Sequence, residues 1–180
     1  MAIALLSGTL LAIAGFLLTS VQGFVVAAHW HTDRLLITRH VAYAIPTVLL
    51  SLFSQSMVLF FFIGTGRLVK DETNSLPEAD RTAVRRALSG FKRKTSPPAT
   101  FALLSAIGVF VLGGAVHTRA LPSWTHLAAS LTAVAVHLWA LGAEWVAFIE
   151  NGRLMADPAA YVRGGLSTSA PASSSSPPRR

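Results

Sequence analysis

The chain alternates long apolar runs with short polar breaks, and the runs are too long for strands or ordinary core helices. Residues 2 to 28 hold no Asp, Glu, Lys or Arg. At about 1.5 Å per residue, such a helix crosses about 30 Å of hydrocarbon. A second uncharged run covers His40 to Gly66, and a third covers Ala99 to Val116. The fourth, His126 to Ile149, is broken only by His137 and Glu144. The pattern predicts four transmembrane helices. The first run reads as a span rather than a signal peptide, because it lacks a basic leader and exceeds the length of an h-region. Pro97 and Pro98 suit the first turn of the third helix.

The stretch between the second and third runs has a different period. Ser75 and Glu78 have capping-box spacing, with Pro77 in the first turn. Val84, Ala87, Leu88 and Phe91 then share one face, bordered by Arg81, Arg85 and Arg86. This predicts a surface helix, lying on anionic lipid or solvated in a loop. The last residues are rich in Ser, Pro and Gly, a composition that predicts disorder.

The chain also resembles itself. Shifted by 86 residues, residues 15 to 71 align without a gap on 101 to 157, with 17 identities in 57 pairs. His31-Thr32 falls on His117-Thr118, His40 on His126, Phe62-Ile63 on Phe148-Ile149, and Gly66-Arg67-Leu68 on Gly152-Arg153-Leu154. Two apolar runs share Leu and Val by composition, but not a His-Thr-x7-His followed 26 residues later by Gly-Arg-Leu. The expected fold is therefore all-α: a polytopic membrane four-helix bundle made from a duplicated two-helix hairpin. Each unit has an even number of spans, so the pseudo-twofold axis runs along the membrane normal. The organisation is a first hairpin (1–73), a cytoplasmic basic amphipathic loop (74–97), a second hairpin (98–160) and a disordered tail (161–180). Small residues at matched positions, Ala27-Ala28 and Gly113-Gly114, allow close approach of a helix or a flat cofactor.

Composition agrees with lipid as solvent. Of 180 residues, 52% are hydrophobic and 13% charged, against about 25% charged in soluble domains. The net charge of +7 does not indicate nucleic acid, because the cations flank apolar runs. Twelve Lys and Arg lie in the long loop and the C-terminal stretch, and three (Arg34, Arg39, Arg119) on the opposite side. The bias places both termini in the cytoplasm, with a bacterial inner membrane as the expected location. There is no cysteine, which rules out disulfides and thiolate ligands.

The candidate chemistry is histidine. His31 and His117 end the first helix of each hairpin, and His40 and His126 begin the second. The repeat puts four imidazoles at one depth near the outer face. Such a set suits axial ligands of a b-type haem, or a copper or zinc ion. Histidines beside Trp30 and Trp124 also suit an interface, hydrogen-bonding headgroups or loop carbonyls. His29 has Ala115 as its counterpart and stands outside the set. His137 lies 11 residues into the fourth run, about 16 Å from His126 along a helix. It has Ser51 as its counterpart and could share a polar interior with Gln22, Ser51, Ser54 and Gln55. Glu144, seven residues on, falls on the same face. It reads as part of a proton path with His137, or more plainly as an ion-pair partner of Arg153 or Arg67.

No phosphate-binding loop, nucleophile elbow, metalloprotease pair or Glu-x-x-His pair occurs. Three functions fit. The first is electron transfer through haem or metal held by the matched histidines, with a quinol and a partner membrane protein. The second is a cofactor-free accessory subunit of a larger membrane complex. The third is a small transporter or channel.

Overall fold

The structure, a computed structural model, describes residues 2–28 and 34–169, with side chains through Arg163. The described residues are helical with no strand. Helix α1 spans Ala2–Ala28, α2 Arg34–Glu72, α3 Glu78–His117, α4 Ser123–Ala156 and α5 Pro158–Ser169, with a 3-10 turn at Thr73–Ser75 between α2 and α3. Helices α1 to α4 are each long and apolar enough to cross a membrane, as in a multi-pass membrane protein. Each packs on the next, and α4 packs back on α1. The bundle is square, with α2 and α4 on one diagonal.

The side-chain pattern is turned outward. Large apolar groups such as Leu10, Leu17, Phe53, Phe101, Leu138 and Trp145 are exposed, whereas Thr9, Ala12, Ser51, Ala102, Ala106 and His137 are buried. Small interior residues let the helices approach. Along α1, a methyl on Gly8 would sit 2.9 Å from Ser54 Oγ, and one on Gly15 would sit 2.6 Å from Thr47 Oγ1. Ser54, Thr47 and His40 recur every seventh residue on α2, so these side chains and that of His40 fill hollows left by Gly8, Gly15 and Gly23.

Helix α3 departs from the sequence expectation. It runs unbroken through Pro97 and Pro98, so the amphipathic segment and the third span form one 40-residue helix. Prolines inside a helix cost about 3 kcal/mol each. The compensation is a continuous buried stripe of Val84, Leu88, Phe91, Thr95, Pro98, Ala102, Ala106 and Val109, spaced three or four residues apart. The face expected to meet lipid instead packs on Leu5, Val58, Phe62, Val69, Phe148 and Leu154. The N-cap is Pro77, with no side-chain cap bond, so no Ser75–Glu78 capping box forms. At about 1.5 Å per residue α3 is about 60 Å long, twice the hydrocarbon thickness. Its basic half therefore extends the bundle beyond the apolar zone, alongside the end of α2.

The other end of α3 closes with a Schellman pattern. The Arg119 amide donates to the Val116 carbonyl (2.9 Å) and the Ala120 amide to the Ala115 carbonyl (2.8 Å). Arg119 takes the left-handed conformation, φ 61°, where glycine is usual. The tail expected to be disordered from residue 161 is helical through Ser169, and residues 170–180 lie outside the described set. The Ala160 amide donates to Asp157 Oδ1 (2.8 Å), which starts α5, and the Tyr161 hydroxyl donates to Glu150 Oε2 (3.3 Å), which ties it to α4.

Candidate functional site

His40, in the second turn of α2, and His126, in the first turn of α4, meet across the diagonal of the bundle. Their ring centroids are 6.0 Å apart and their planes stand at 84°. Each imidazole lies over a glycine of the neighbouring helix. A methyl on Gly23 would sit 3.3 Å from His40 Cε1, and one on Gly113 would sit 3.0 Å from His126 Cε1. The rings thus occupy room that any other residue at those positions would fill. The Nδ1 atoms of both histidines are buried without a partner. The His126 ring also lies against the Val109 main-chain carbonyl. A cavity of about 600 Å³ surrounds the pair, lined among others by Thr19, Ser20, Val48, Val109, Trp124 and Ser130. That volume falls within the usual range for small-molecule and cofactor sites.

The sequence expected four imidazoles in one set, and the structure brings two of them together, edge to face. His117 lines the same cavity, with its side chain exposed. His31, with His29 and Asp33, lies outside the described residues. Among the described residues no group of three or more His, Cys, Asp or Glu side chains is placed to hold a metal ion. Gln22, next to Gly23, is half-buried with Oε1 unpartnered.

The expected polar interior forms in two clusters. His137 is fully buried, its ring 4.7 Å from that of Phe16. Its Nδ1 lies 2.7 Å from the Ala133 carbonyl and its Nε2 2.6 Å from Ser51 Oγ. A carbonyl only accepts, so Nδ1 carries a hydrogen, and Nε2 exchanges a hydrogen bond with the serine hydroxyl. Two turns away, Glu144 is also fully buried. Thr9 Oγ1 donates to its Oε2 at 2.9 Å, Gln55 Nε2 donates to Thr9 Oγ1 at 3.2 Å, and Ser54 Oγ lies 3.2 Å from Thr9 Oγ1. Glu144 therefore does not pair with Arg153, which binds Glu150 at 3.0 Å. Thr9, Ser130 and Asn151 belong to this interior and were not picked out by sequence. The available signal was spacing, because Ser130, His137, Glu144 and Asn151 recur every seven residues on α4 and all are buried.

Three contacts across the α2–α4 diagonal join residues 86 apart in sequence. They are His40 with His126, Ser51 with His137 at 2.6 Å, and Phe62 with Phe148, stacked at 5.2 Å. Where the mates are alike the contact is symmetric. Where they differ, at Ser51 and His137, one hairpin supplies the ring and the other the hydroxyl. No family model, curated protein or solved structure matches the chain.

Proposed function

We propose that the chain is a multi-pass membrane protein that holds a b-type haem through His40 and His126 and carries electrons. The observation behind this reading is the pair itself: two imidazoles meeting edge to face at 6.0 Å in a cavity of about 600 Å³, each with a buried nitrogen that has no partner. Two histidines are half the ligands of a tetrahedral zinc or copper ion. A haem, which brings its own four nitrogens, would need only His40 and His126 from the chain. Haem is therefore favoured over a bare ion. When bound it supplies one-electron chemistry. The chain's own residues do the rest. Gly23 and Gly113 keep the space open, the Val109 carbonyl orients His126, and the apolar walls exclude water.

The meeting of mates 86 residues apart supports an origin in a duplicated hairpin, with the pseudo-twofold axis between α2 and α4. The twelve-to-three cation bias supports an orientation with the histidine pair near the outer face and the basic extension of α2 and α3 in the cytoplasm, beside anionic lipid. Electrons would then pass between a quinol and a partner membrane protein on the outer side.

The test is mutational. His40→Ala and His126→Ala, each expressed with haem supplied, should purify without the Soret and alpha bands of the wild type, while His117→Ala retains them. Retention in the His40→Ala/His126→Ala double variant would remove the site. A metal ion found by elemental analysis, without those bands, would keep the histidines and replace the haem. A colourless, metal-free protein would leave the cofactor-free accessory-subunit reading in its place.

A further inference from the structure

Beyond the histidine pair, the polar column of α4 changes character along its length. Its first two members are satisfied, since Ser130 donates to the His126 carbonyl and both nitrogens of His137 are engaged. The next two are not. Glu144 Oε1 and Asn151 Oδ1 are buried without a partner, as is Gln55 Oε1 from α2. The three residues are 0%, 1% and 0% exposed respectively. Buried polar atoms almost always find a donor or acceptor, and where protein supplies none, internal water does. Gln55 and Glu144 share Thr9, and Asn151 follows two turns along the same buried face of α4; each of the three oxygens lacks a donor that water can provide.

The charge balance around Glu144 narrows what it does. No cation of the bundle meets it. Helix α1 has no charged residue, α2 has none between His40 and Arg67, and α3 has none between Lys94 and His117. What faces the carboxyl is Thr9 from α1 and Gln55 from α2, with Ser54 behind Thr9. On α4 itself the nearest titratable groups are His137, two turns one way, and Glu150, which is held by Arg153 and Tyr161. An uncompensated carboxylate in such a setting is costly, and the smallest cation that cancels it is a proton. The Thr9 and Ser54 hydroxyls already bond one another and Glu144 Oε2, and among the described residues no second carboxylate or imidazole stands beside Oε1, so a proton fits where a coordinated metal ion does not.

We propose that Glu144 is a reversible proton-binding site, reached by water from the Asn151 end of the bundle and closed towards the histidine pair by His137, Ser51 and Phe16. The carboxylate takes its proton on Oε1 from a hydronium ion, leaving water, and returns it the same way. Thr9 keeps donating to Oε2 in both forms. The closure follows from His137, whose two nitrogens are both committed and whose ring is covered by Phe16. The site is therefore one-sided and not a channel. It does not depend on the haem reading.

The full-length protein in phosphatidylcholine nanodiscs provides the test, by infrared spectroscopy across pH in H2O and D2O. Glu144 is the carboxyl inside the four spans, so wild type should show a protonated-carboxyl C=O band that responds to pH and shifts in D2O. Glu144→Gln, which still accepts from Thr9, should lack the band. Asn151→Leu should keep the band but slow its deuterium shift by about tenfold, the effect of removing one hydrogen-bonded relay. The proposal is overturned if wild type and Glu144→Gln have the same carboxyl spectrum at every pH. It is equally overturned if the band shifts at the same rate in Asn151→Leu, or responds to sodium at fixed pH.

Discussion

Gly113 and Gly114 are neighbours in sequence with opposite tolerances. A methyl on Gly113 would lie 3.0 Å from His126 Cε1, whereas one on Gly114 meets nothing within 4 Å. Gly113→Ala should push the imidazole off its seat and weaken haem retention by about tenfold, or 1.4 kcal/mol. Gly114→Ala should leave haem untouched and stabilise α3 by about 0.5–1 kcal/mol, the usual gain in a helix interior. Haem titration and thermal melts of the two variants check this. The doubled His-Thr-x7-His pointed to four histidines, of which the structure brings His40 and His126 together. Which two would meet was not legible. The glycine under His40 is Gly23, a full turn from Ala27, the repeat mate of Gly113. Glu144 was placed on the correct face, but its partner was misread. Charge complementarity pointed to arginine, while burial beside Thr9 and Gln55 decided the outcome.

Helix α3 shows where a local rule yields to packing. Two consecutive prolines suit the first turn of a new helix, and the cationic segment before them reads as a separate surface helix. The buried stripe from Val84 to Val109 crosses the prolines without losing register, and it carries the helix through. That stripe was present in the sequence, but it is visible only when the two segments are read together. Helix α5 was missed because its Ser- and Gly-rich composition concealed two anchors, Val162 buried in the apolar core and Tyr161 on Glu150. Burial, then the Glu150 charge and hydrogen bond, raise the Tyr161 phenol above its ordinary value. The neutral phenol is the form that docks. Its stabilising effect is therefore complete below about pH 10, the unfolded value, and is lost as pH rises through the raised one. The chain has two tyrosines, so a Tyr43→Phe background isolates Tyr161. In ultraviolet titration, adding Glu150→Gln should move its midpoint to lower pH. An unchanged midpoint would place Tyr161 away from Glu150.

Across the whole bundle each helix packs on its neighbours, and along the α2–α4 diagonal mates meet at three levels: histidine on histidine, serine on histidine, phenylalanine on phenylalanine. The four-helix architecture was legible because uncharged runs of that length have few other uses. The repeat predicted symmetry, and three pairs of its mates meet in the structure, with differences at two matched positions. Ser51 faces His137, and Val58 corresponds to Glu144. A histidine pair at one end and a single buried carboxyl, Glu144, further along α4 would be the parts of a protein that handles electrons and protons separately. The most direct test of that account is the visible spectrum of the purified wild-type protein, oxidised and then reduced with dithionite, after expression with haem supplied. Two imidazole ligands predict a Soret band that moves on reduction and a sharp reduced alpha band, at one haem per chain. A colourless protein under those conditions would contradict it.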